Sequence, residues 1–589
     1  MGLYFLDYGA GNVQSLANSL KKLGYDFQWV TCVDDFHKAT VRLPYATCAV
    51  ACRLPSSTFQ SLIFPGVGAF GQAIDALESK GFLQPLREYI ASGKPYFGIC
   101  IGMQVLYQSS AENPSKRGLG VIPCPIEEFS SADKSVPHIG WNAVDLLDSA
   151  EKSDEGVSTS SHYYFVHSYR AVYDPVAYPE AAEWTHGVTQ YGQEMFVASV
   201  RKTNVFGTQF HPEKSGQAGL KIISAWLSES EADRALAPST PRMPRSPRPK
   251  DGLTKRVVAC MDVRSNDRGD LVVTKGDQYD VREKAPAASG AVQTTTSGEV
   301  RNLGKPVALA ARYYAAGADE LCLMNITSFR QSPLRDQPML AVVRAAAEEV
   351  FVPLTIGGGI KDTVDPDGTK RSALEVAGTY FRAGADKVSI ASDAVQIVER
   401  MRQKAKEAGL DEDAAIGDGT SSIETIARAY GRQAVVVSID PRRVYVDPDY
   451  NGPYKSELVF GKPDGEEKER GKAWWYQCTV SGGREPRPLS VVQLARGVER
   501  LGTGELVLNS IDRDGTGKGF DTDLIQLIRK NVRVPIIASS GAGSAAHFVE
   551  VFEKTSVEAA LAAGIFHRGE VEIPEVKGAL AKASFNTRV

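Results

Sequence analysis

The sequence lacks the features that mark a secreted, metal-bound or membrane-spanning protein. Its eight cysteines include no CxxC pair and no His-rich neighbour set, so neither a disulfide framework nor a zinc site is predicted. No apolar run approaches the ~20 residues that a transmembrane helix needs. The first residues, MGLYFLDYGAGN, carry no basic segment and soon reach Asp7, which argues against a signal peptide. We therefore expect a cytoplasmic protein that uses no metal or other cofactor.

A strong excess of charge of one sign is also missing. The chain has 67 basic and 71 acidic residues among its 589, so it has no field that would gather nucleic acid or anionic lipid. Small-molecule substrates are therefore expected, with no nucleic-acid or membrane partner. This length suits about four ordinary domains, or two large ones if one is a barrel of about 250 residues. Composition leaves the oligomeric state open.

A proline-rich stretch divides the chain. Residues 237–250 read APSTPRMPRSPRPK, with prolines about every third residue, which favours extended polyproline II. The interspersed arginines allow a docking patch, but a solvated, semi-rigid spacer is the simpler interpretation. We predict a first domain at 1–236, a linker at 237–252 and a second domain at 253–589.

After the linker, β-branched apolar runs alternate with helical stretches, which is typical of βαβ units and a parallel sheet. Eight parallel strands suit a closed (β/α)8 barrel. The runs lie near Val257–Asp262, Leu321–Ile326, Val352–Gly357, Lys387–Ala391, Ala434–Asp440, Leu506–Ile511, Val534–Ser539 and Glu558–Ala562. The chain is thus predicted to be an α/β protein.

Segments of the first half of this barrel recur in the second half. RVVACMD returns as AVVVSID and PLTIGGG returns as PIIASSG, each about 180 residues later, as expected of two duplicated half-barrels. Two long interruptions, at roughly 264–302 and 441–484, each follow the first strand of a half. Both are therefore expected on the catalytic face.

In the first domain, KPYFGICIGMQ runs an apolar strand into Cys100, with Gly98 and Gly102 two residues to either side. A side chain on a strained strand-to-helix turn needs close backbone approach on both flanks, which glycine permits. The N-terminus of the following helix favours a thiolate. We predict a nucleophilic Cys100, against the alternative of a buried structural cysteine.

A second run, VFGTQFHPEKS, is predicted to end a strand and to present His211 and Glu213 on one side, because they are two residues apart. His211 then takes the proton of Cys100, which attacks an amide carbon of glutamine, and Glu213 holds the imidazole tautomer. The loop FPGVGAF, with Gly66 and Gly68, offers backbone N–H groups to the oxyanion. A plain tight turn is the alternative for this loop.

The motifs PGVG, GICIGMQ and FHPE occur in the order of the class I glutamine amidotransferases, which most of the first domain resembles. The motifs DYGAGN, PHIGWN and YFVHSY resemble those of the amidotransferases of histidine biosynthesis, and not those of the nucleotide or anthranilate branches of the family. The resemblance implies a flavodoxin-like α/β fold that releases ammonia from glutamine. It also implies a glutamine pocket lined by Gln104, Glu112, Ser168 and Tyr169. His138 and His167 can equally be structural histidines.

Three aspartates fall at or just beyond the ends of predicted barrel strands. Asp262, Asp440 and Asp514 follow strands one, five and six, where barrel enzymes place their chemistry. A strand-end aspartate is often only a helix cap, but the first two are related by the repeat and face each other across the mouth. Opposed carboxylates suit general acid and base work on one substrate.

Two glycine segments, IGGGI and SSGAG, expose backbone N–H groups at strand ends, ready to bind phosphate. Because they are repeat mates, we predict two phosphate sites and a bisphosphate ligand, with neighbouring strand ends completing each site. The predicted residues are Gly357, Gly358, Gly359, Ala391 and Ser392 at one site and Ser540, Gly541, Gly543, Ala563 and Gly564 at the other.

ACMDV, IGGGI, ADKVSI, SIDRDGTGKG and IIASSGAG together resemble the cyclase of the imidazole glycerol phosphate synthases, across nearly all of 253–589. This implies that Asp262 and Asp440 are the acid–base pair, that Asp514 contacts the ligand and that Lys275 lies on a loop closing over it. The implied substrate is the phosphoribulosyl-formimino intermediate of aminoimidazole carboxamide ribonucleotide, which ammonia cleaves and cyclises. Asn325 stands where bacterial cyclases have aspartate, so it receives no acid–base role.

Four charged residues, Arg256, Glu320, Lys387 and Glu505, stand just before or at the first residues of strands one, two, four and six. Solvated charges at the bottom face are the simple interpretation. The family resemblance instead implies a salt-bridged ring that gates an ammonia channel, with the glutaminase docked below it.

Two other functions remain open at this point. One is a glutaminase fused to a different ammonia-using phosphosugar synthase, and the duplicated phosphate site argues against it. The other is a noncatalytic scaffold, which the intact set of Cys100, His211 and Glu213 disfavours. The favoured prediction is a bifunctional enzyme whose domains are coupled within one chain.

Overall fold

A computed structural model describes residues 2–9, 11–40, 60–66, 68–147, 156–229, 252–265, 271–274, 305–326, 338–365, 367–463 and 465–588. The chain forms two compact units. The first comprises Met1–Lys134, His138–Leu253 and Arg428–Tyr430, and the second comprises Ser135–Pro137, Thr254–Ala427 and Gly431–Val589. Apart from Gly252, the predicted linker at 237–252 lies outside the described residues, and the predicted domain bounds stay a prediction.

A mixed sheet forms the centre of the first unit, with strand order β2-β1-β3-β4-β13-β12-β11-β8. Strands β2 to β13 in this order run parallel to their neighbours, and the last three pair antiparallel. The strands of this part of the chain are β1 (Gly2–Leu6), β2 (Gln28–Val30), β3 (Gln60–Phe64), β4 (Tyr96–Ile99), β5 (Tyr107–Ser110), β6 (Ile122–Glu128), β7 (His138–Ala143), β8 (Asp145–Leu146), β9 (His162–His167), β10 (Tyr169–Ala171), β11 (Thr185–Tyr191), β12 (Glu194–Lys202) and β13 (Val205–Thr208).

The middle of this sheet is where the two predicted catalytic motifs meet. β4 and β13 are parallel neighbours, with Ile99 opposite Thr208, and both strands are buried along their whole length. Residues that follow these strands therefore emerge side by side at one sheet edge. The helices are α1 (Gln14–Lys22), α2 (Val33–Thr40), α3 (Phe70–Ser79), α4 (Leu83–Ala91), α5 (Ile101–Gln104), α6 (Pro179–Ala182) and α7 (Gly216–Ser228).

The second unit contains a closed parallel barrel. Its strands follow the order β14-β16-β17-β20-β21-β26-β27-β28, and β28 pairs back to β14, so the predicted eight-stranded barrel is confirmed. The strands are β14 (Arg256–Ser265), β15 (Leu271–Thr274), β16 (Glu320–Asn325), β17 (Leu354–Gly357), β18 (Thr363–Val364), β19 (Lys370–Arg371), β20 (Lys387–Ile390), β21 (Val435–Ile439), β22 (Pro441–Val446), β23 (Val459–Phe460), β24 (Ala473–Val480), β25 (Glu485–Ser490), β26 (Glu505–Asn509), β27 (Ile536–Ser539) and β28 (Ala559–Ala562).

Amphipathic helices separate the barrel strands. They are α8 (Pro306–Ala315), α9 (Pro338–Glu349), α10 (Ala373–Ala383), α11 (Ser392–Glu407), α12 (Ser422–Tyr430), α13 (Val491–Arg500), α14 (Thr522–Arg529), α15 (Ala545–Thr555), α16 (Gly564–His567) and α17 (Ile573–Lys582). Ser372, Ser421 and Ser490 start α10, α12 and α13 with reciprocal capping boxes, which satisfy exposed backbone N–H groups. Among the helices of the described residues, none has the length and apolar character needed to cross a membrane.

The second interruption of the barrel is an ordered antiparallel sheet of β22, β23, β24 and β25, with β24 at its centre. Of the first interruption, the structure describes the end of β14 and the strand β15, which pairs antiparallel with it. The remainder of that segment, including Lys275, lies outside the described residues.

Candidate active sites

Cys100 occupies a sharp turn between β4 and α5. Its backbone has φ 49° and ψ −102°, in a region that L-residues rarely adopt and that is found at functional turns. A Cβ on Gly98 would lie 2.3 Å from the Gly102 carbonyl oxygen, and one on Gly102 would lie 2.2 Å from that of Phe64. Both flanking glycines are therefore required by close backbone approach. The helix that follows is only four residues long, so its dipole contributes little.

His211 and Glu213 meet through a turn. Nδ1 of His211 lies 2.7 Å from Oε1 of Glu213, and both side chains are buried. The two side chains do meet, as predicted, but the predicted cause, a continuous strand, is wrong. β13 ends at Thr208, and Glu213 lies in the 3-10 turn Pro212–Lys214. That turn folds the carboxylate back onto the ring.

The electrostatics of His211 favour its cation. Burial alone would lower the pKa of the imidazole, but Glu213 and the neighbouring Cys100, which is hydrogen-bonded to it, raise that pKa to about 10. His211 is therefore protonated at neutral pH and faces the Cys100 sulfur as a cation. Such an arrangement stabilises a thiolate, the reactive form of cysteine.

Gln209 is a residue of this site that the sequence reasoning missed. Its Nε2 donates to Sγ of Cys100 at 3.4 Å, and its Oε1 accepts from Nε2 of Gln104 at 2.9 Å. Gln104 also donates to the Tyr169 carbonyl oxygen at 3.1 Å, so both hydrogens of its amide are used within the protein. The signal available in the sequence was the position of Gln209 two residues before His211 in TQFHPE.

The other predicted pocket residues have the following places in the structure. A Cβ on Gly66 would lie 2.8 Å from Cβ of Cys100, so Gly66 lies directly beside the sulfur-bearing residue. Gly68 has φ 144°, and Oε2 of Glu112 accepts from the Phe70 N–H at 2.7 Å. Ser168 is buried, and its Oγ has no hydrogen-bond partner among the described residues.

The buried histidines His138 and His167 form a directed chain. Nδ1 of His167 donates to the Tyr169 carbonyl oxygen at 2.8 Å, so its Nε2 accepts from Nδ1 of His138 at 3.3 Å. Nε2 of His138 then accepts from the Asn142 amide at 3.3 Å. Burial lowers the pKa of His138 far below its usual value and that of His167 to about 3, so both rings are neutral and hold the Tyr169 carbonyl in place.

At the mouth of the barrel, Asp440 follows β21 and is held by neighbours that the sequence reasoning did not identify. The Asn509 amide donates to Oδ1 of Asp440 at 2.9 Å, and Oγ1 of Thr479 donates to its carbonyl oxygen at 2.6 Å. Partial burial raises the pKa of Asp440, the bond from Asn509 lowers it and the charge of Asp514 raises it again, so the net direction is upward. Asp262 lies within β14.

The two glycine segments have the same backbone conformation at equivalent positions. Gly358 and its repeat mate Ser540 have φ 91° and 71°, and Gly359 and its mate Gly541 have φ 79° and 94°. Glycine tolerates this left-handed region without penalty, whereas Ser540 is strained there. The two repeat halves thus share successive left-handed φ angles at the ends of β17 and β27.

The neighbouring strand ends are matched in the same way. Ala391 has φ −118° and ψ −95°, and Ala563 has φ −125° and ψ −71°. Each immediately precedes a helix, which begins at Ser392 in one half and at Gly564 in the other. Because β17 pairs with β20 and β27 pairs with β28, each glycine segment ends on the strand next to the one that carries the matching alanine.

The loop that carries Asp514 packs on the second glycine segment. The Gly519 N–H donates to the Gly541 carbonyl oxygen at 2.8 Å. A neighbouring N–H, that of Gly543, donates to Nδ1 of His547 at 3.0 Å. Asp514 is therefore placed on the same side of the mouth as this segment.

Four charged residues close the opposite end of the barrel. Arg256 lies 2.8 Å from Glu320 and 2.5 Å from Glu505, while Nζ of Lys387 lies 2.6 Å from each glutamate. Thr355 adds a hydrogen bond to Glu320 at 2.7 Å. All four charged side chains are buried, so they are not solvated. Burial raises the pKa of Glu505, but Arg256 and Lys387 outweigh it and lower that pKa overall.

Comparisons with known proteins match both units. The family described as glutamine amidotransferase class-I matches residues 4–228, and the family described as histidine biosynthesis protein matches twice, at residues 256–417 and 413–572. The double match confirms the predicted repeat. Proteins named imidazole glycerol phosphate synthase hisHF are similar over the whole chain. That of Emericella nidulans is 48% identical, covering 100% of this chain and 98% of the relative.

Two further relatives carry the same name. The Schizosaccharomyces pombe protein is 47% identical, covering 98% of each chain. The Arabidopsis thaliana protein, named as chloroplastic, is 48% identical, covering 99% of this chain and 89% of its own length. The likeness therefore extends across both units and the segment between them.

Replacing Gln209 with Leu should slow alkylation of Cys100 by iodoacetamide about tenfold at neutral pH, because one hydrogen bond to a charged group, roughly 1.5–3 kcal/mol, is lost from the thiolate. Peptide mass spectrometry would measure the modified fraction over time. Exposed Cys32 is the internal control and should react at an unchanged rate. An unaltered rate at Cys100 would show that the Gln209 amide does not stabilise the sulfur.

Proposed function

The chain belongs to the family of fused imidazole glycerol phosphate synthases of histidine biosynthesis, and we propose that its two predicted sites perform the two half-reactions of that synthase. The first hydrolyses glutamine to glutamate and ammonia. The second uses ammonia to convert the phosphoribulosyl-formimino intermediate into imidazole glycerol phosphate and aminoimidazole carboxamide ribonucleotide. The main observation in support is that one polypeptide holds both a Cys100–His211–Glu213 cluster and two glycine segments of matching backbone conformation at the ends of barrel strands.

In the glutaminase half, Cys100 attacks the amide carbon of glutamine. The cationic His211 beside it stabilises the thiolate and then gives its proton to the leaving ammonia, while Glu213 keeps the ring oriented. The PGVG loop, which passes Cys100 at Gly66, is the source of N–H donors for the oxyanion. Water then releases glutamate.

Replacing Cys100 with Ser should abolish glutamine-dependent turnover by roughly 10³-fold or more, since the nucleophile is lost. Turnover with ammonium salt should remain at the wild-type level, because the barrel site is unchanged. Both are measured by disappearance of the bisphosphate intermediate, with glutamate assayed in parallel. If wild-type protein does not consume the intermediate with either glutamine or ammonium salt, the proposed function is overturned. If the protein uses ammonia but the intermediate does not disappear, a different phosphosugar synthase is favoured.

Glu112 gives the glutaminase a pH dependence. Burial raises the pKa of this carboxyl, the Phe70 N–H lowers it and Glu128 raises it, with a net value of about 7. We assign Glu112 to the α-ammonium of glutamine, so only its carboxylate form binds. The carboxylate predominates above about pH 7 and is lost as pH falls.

The KM for glutamine should therefore rise about tenfold between pH 8 and pH 6, following loss of the carboxylate below pH 7. Initial-rate kinetics of glutamate formation across this range provide the measurement. The variant Glu112→Gln should show a raised KM that no longer changes with pH. A wild-type KM that is flat from pH 8 to 6 contradicts the assignment.

In the barrel half, the ligand is proposed to span the mouth with one phosphate at each glycine segment. Asp440, whose pKa is raised, suits proton donation, and Asp262 suits the complementary base role. Asp514, on the loop that packs on Gly541, contacts the same ligand. Lys275 is assigned to a loop that closes over it.

Ammonia is proposed to reach this mouth along the barrel axis, past the buried ring of Arg256, Glu320, Lys387 and Glu505. Side chains two residues apart on a strand share a face, and those between the ring and the acids are mostly apolar, with Ser389 and Ser438 as polar members. A lumen of this kind admits neutral ammonia and disfavours ammonium. The apolar cluster consists of Val258, Cys260, Cys322, Val436, Val507, Ile537, Ala559 and Leu561.

Replacing Lys387 with Met should uncouple the two activities, because the ring loses one of the two cations that join its glutamates and leaves their charge only partly compensated. More than one glutamate should then form per imidazole glycerol phosphate, and the excess ammonia should appear in solution. Lys370, an exposed lysine of the same unit, gives the control variant Lys370→Met. A one-to-one ratio in Lys387→Met would count against the gate.

We further propose that the glutaminase domain spans 1–236 and the cyclase domain 253–589, and that the protein acts in the cytoplasm without nucleic acid or a membrane. The nearly neutral overall charge supports small-molecule partners. A plant relative is named as chloroplastic, so imaging of a fluorescent fusion is the appropriate test of the compartment. Signal within an organelle would overturn that part of the proposal.

A further inference from the structure

The antiparallel sheet inserted after β21 holds one buried cation, Arg443, on β22. The guanidinium lies 4.5 Å from the ring centroid of Trp474 and 5.8 Å from that of Tyr476, both on β24. Arg443, Trp474 and Tyr476 are all buried. Burial of a guanidinium is costly unless carboxylates and hydrogen bonds compensate it.

The compensating carboxylates come from two places. Nη1 of Arg443 lies 2.5 Å from Glu469, which belongs to the inserted segment. Nη2 lies 3.0 Å from both oxygens of Asp521, which follows β26 and precedes α14. The backbone N–H of Arg443 donates to Asp512 at 2.8 Å. One residue of the insertion therefore bonds to both ends of the loop 510–521.

Asp521 joins the loop, the insertion and the next helix. Its oxygens accept from the Tyr476 hydroxyl at 2.8 Å and from the Ser510 hydroxyl at 2.9 Å. It also caps α14 by accepting from the Leu524 N–H at 3.3 Å. Because Asp521 is 2% exposed, these bonds form in a region sheltered from water, where they are stronger and more costly to lose.

A second contact holds the tip of the same loop. Glu466 of the insertion lies 3.2 Å from Arg513 and 3.4 Å from Lys518. These two residues flank Asp514, which is assigned to the ligand. Farther along, the Gly519 N–H donates to the Gly541 carbonyl oxygen of the second glycine segment at 2.8 Å.

We propose that Arg443 is a positioning residue of the cyclase: it fixes the loop 510–521 against the inserted sheet, and thereby sets Asp514 and the Gly541 segment for the bisphosphate substrate. This inference rests on the proposed function, since it takes Asp514 and Gly541 to be ligand contacts. It assigns a purpose to the insertion, which acts as a brace for a neighbouring catalytic loop.

The test uses full-length protein carrying Arg443→Gln, with ammonium salt as nitrogen source so that the glutaminase does not contribute. The KM for the bisphosphate intermediate should rise at least tenfold, while glutaminase activity stays unchanged. Arg443→Lys, which keeps a cation without the bidentate geometry, should recover part of the loss. Limited trypsin digestion should cut after Arg513 or Lys518 faster in Arg443→Gln, before substrate is added.

Arg442→Gln is the matched control, because Arg442 is next to Arg443 in the chain but its guanidinium donates to Gln477 within the sheet. It should leave both the KM and the cleavage rate unchanged. If Arg443→Gln does not fold, Tyr476→Phe removes only one bond to Asp521 and should give a smaller change in the same direction.

An unchanged KM or an unchanged cleavage rate in a folded Arg443→Gln protein, or in Tyr476→Phe where that variant is needed, would overturn the brace. Failure of the proposed function looks different. In that case wild-type protein does not consume the intermediate at all, while the digestion still reports on the loop.

Discussion

The pairing of β28 with β14 is the constraint on which the second unit depends. Once the eight strands close, every second residue of each strand must face the lumen. Along β14 this places Arg256, Val258, Cys260 and Asp262 on one inward face, running from the buried ring through an apolar stretch to the mouth. Along this strand, charge at one end, an apolar middle and a carboxylate at the other follow from one alternation.

The first unit achieves its chemistry by backbone placement. Two neighbouring buried strands, β4 and β13, end together, and the chain continues from them into the Cys100 turn and the His211 turn. The strained conformation at Cys100 persists because the glycines around it allow backbone contacts that a side chain would block. Neutral, buried His138 and His167 then fix the Tyr169 carbonyl, to which Gln104 bonds.

Buried ion clusters recur in the second unit, at the ring and around Arg443. In each, a cation lies between two carboxylates. Because water is excluded, the charges can be compensated only if the side chains keep these positions. Such clusters contribute little net stability, because desolvation offsets the attraction, but removal of one member leaves an uncompensated buried charge. Their consequence is definite positioning, of a closed ring in one case and of a loop in the other.

The sequence by itself determined the eight barrel strands, the half-barrel repeat and the elbow glycines, because these depend on periodicity and on residues close in the chain. The ring of four charged residues was implied only by the family resemblance, since its members lie 64 to 249 residues apart. It predicted His211 and Glu213 together but for a wrong reason, since a 3-10 turn and not a strand unites them. Gln209, Asn509 and Arg443 escaped prediction because their partners lie 109, 69 and 78 residues away. Only the tertiary structure decided those contacts, since a hydrogen bond between distant residues depends on how strands and loops pack and leaves no local pattern.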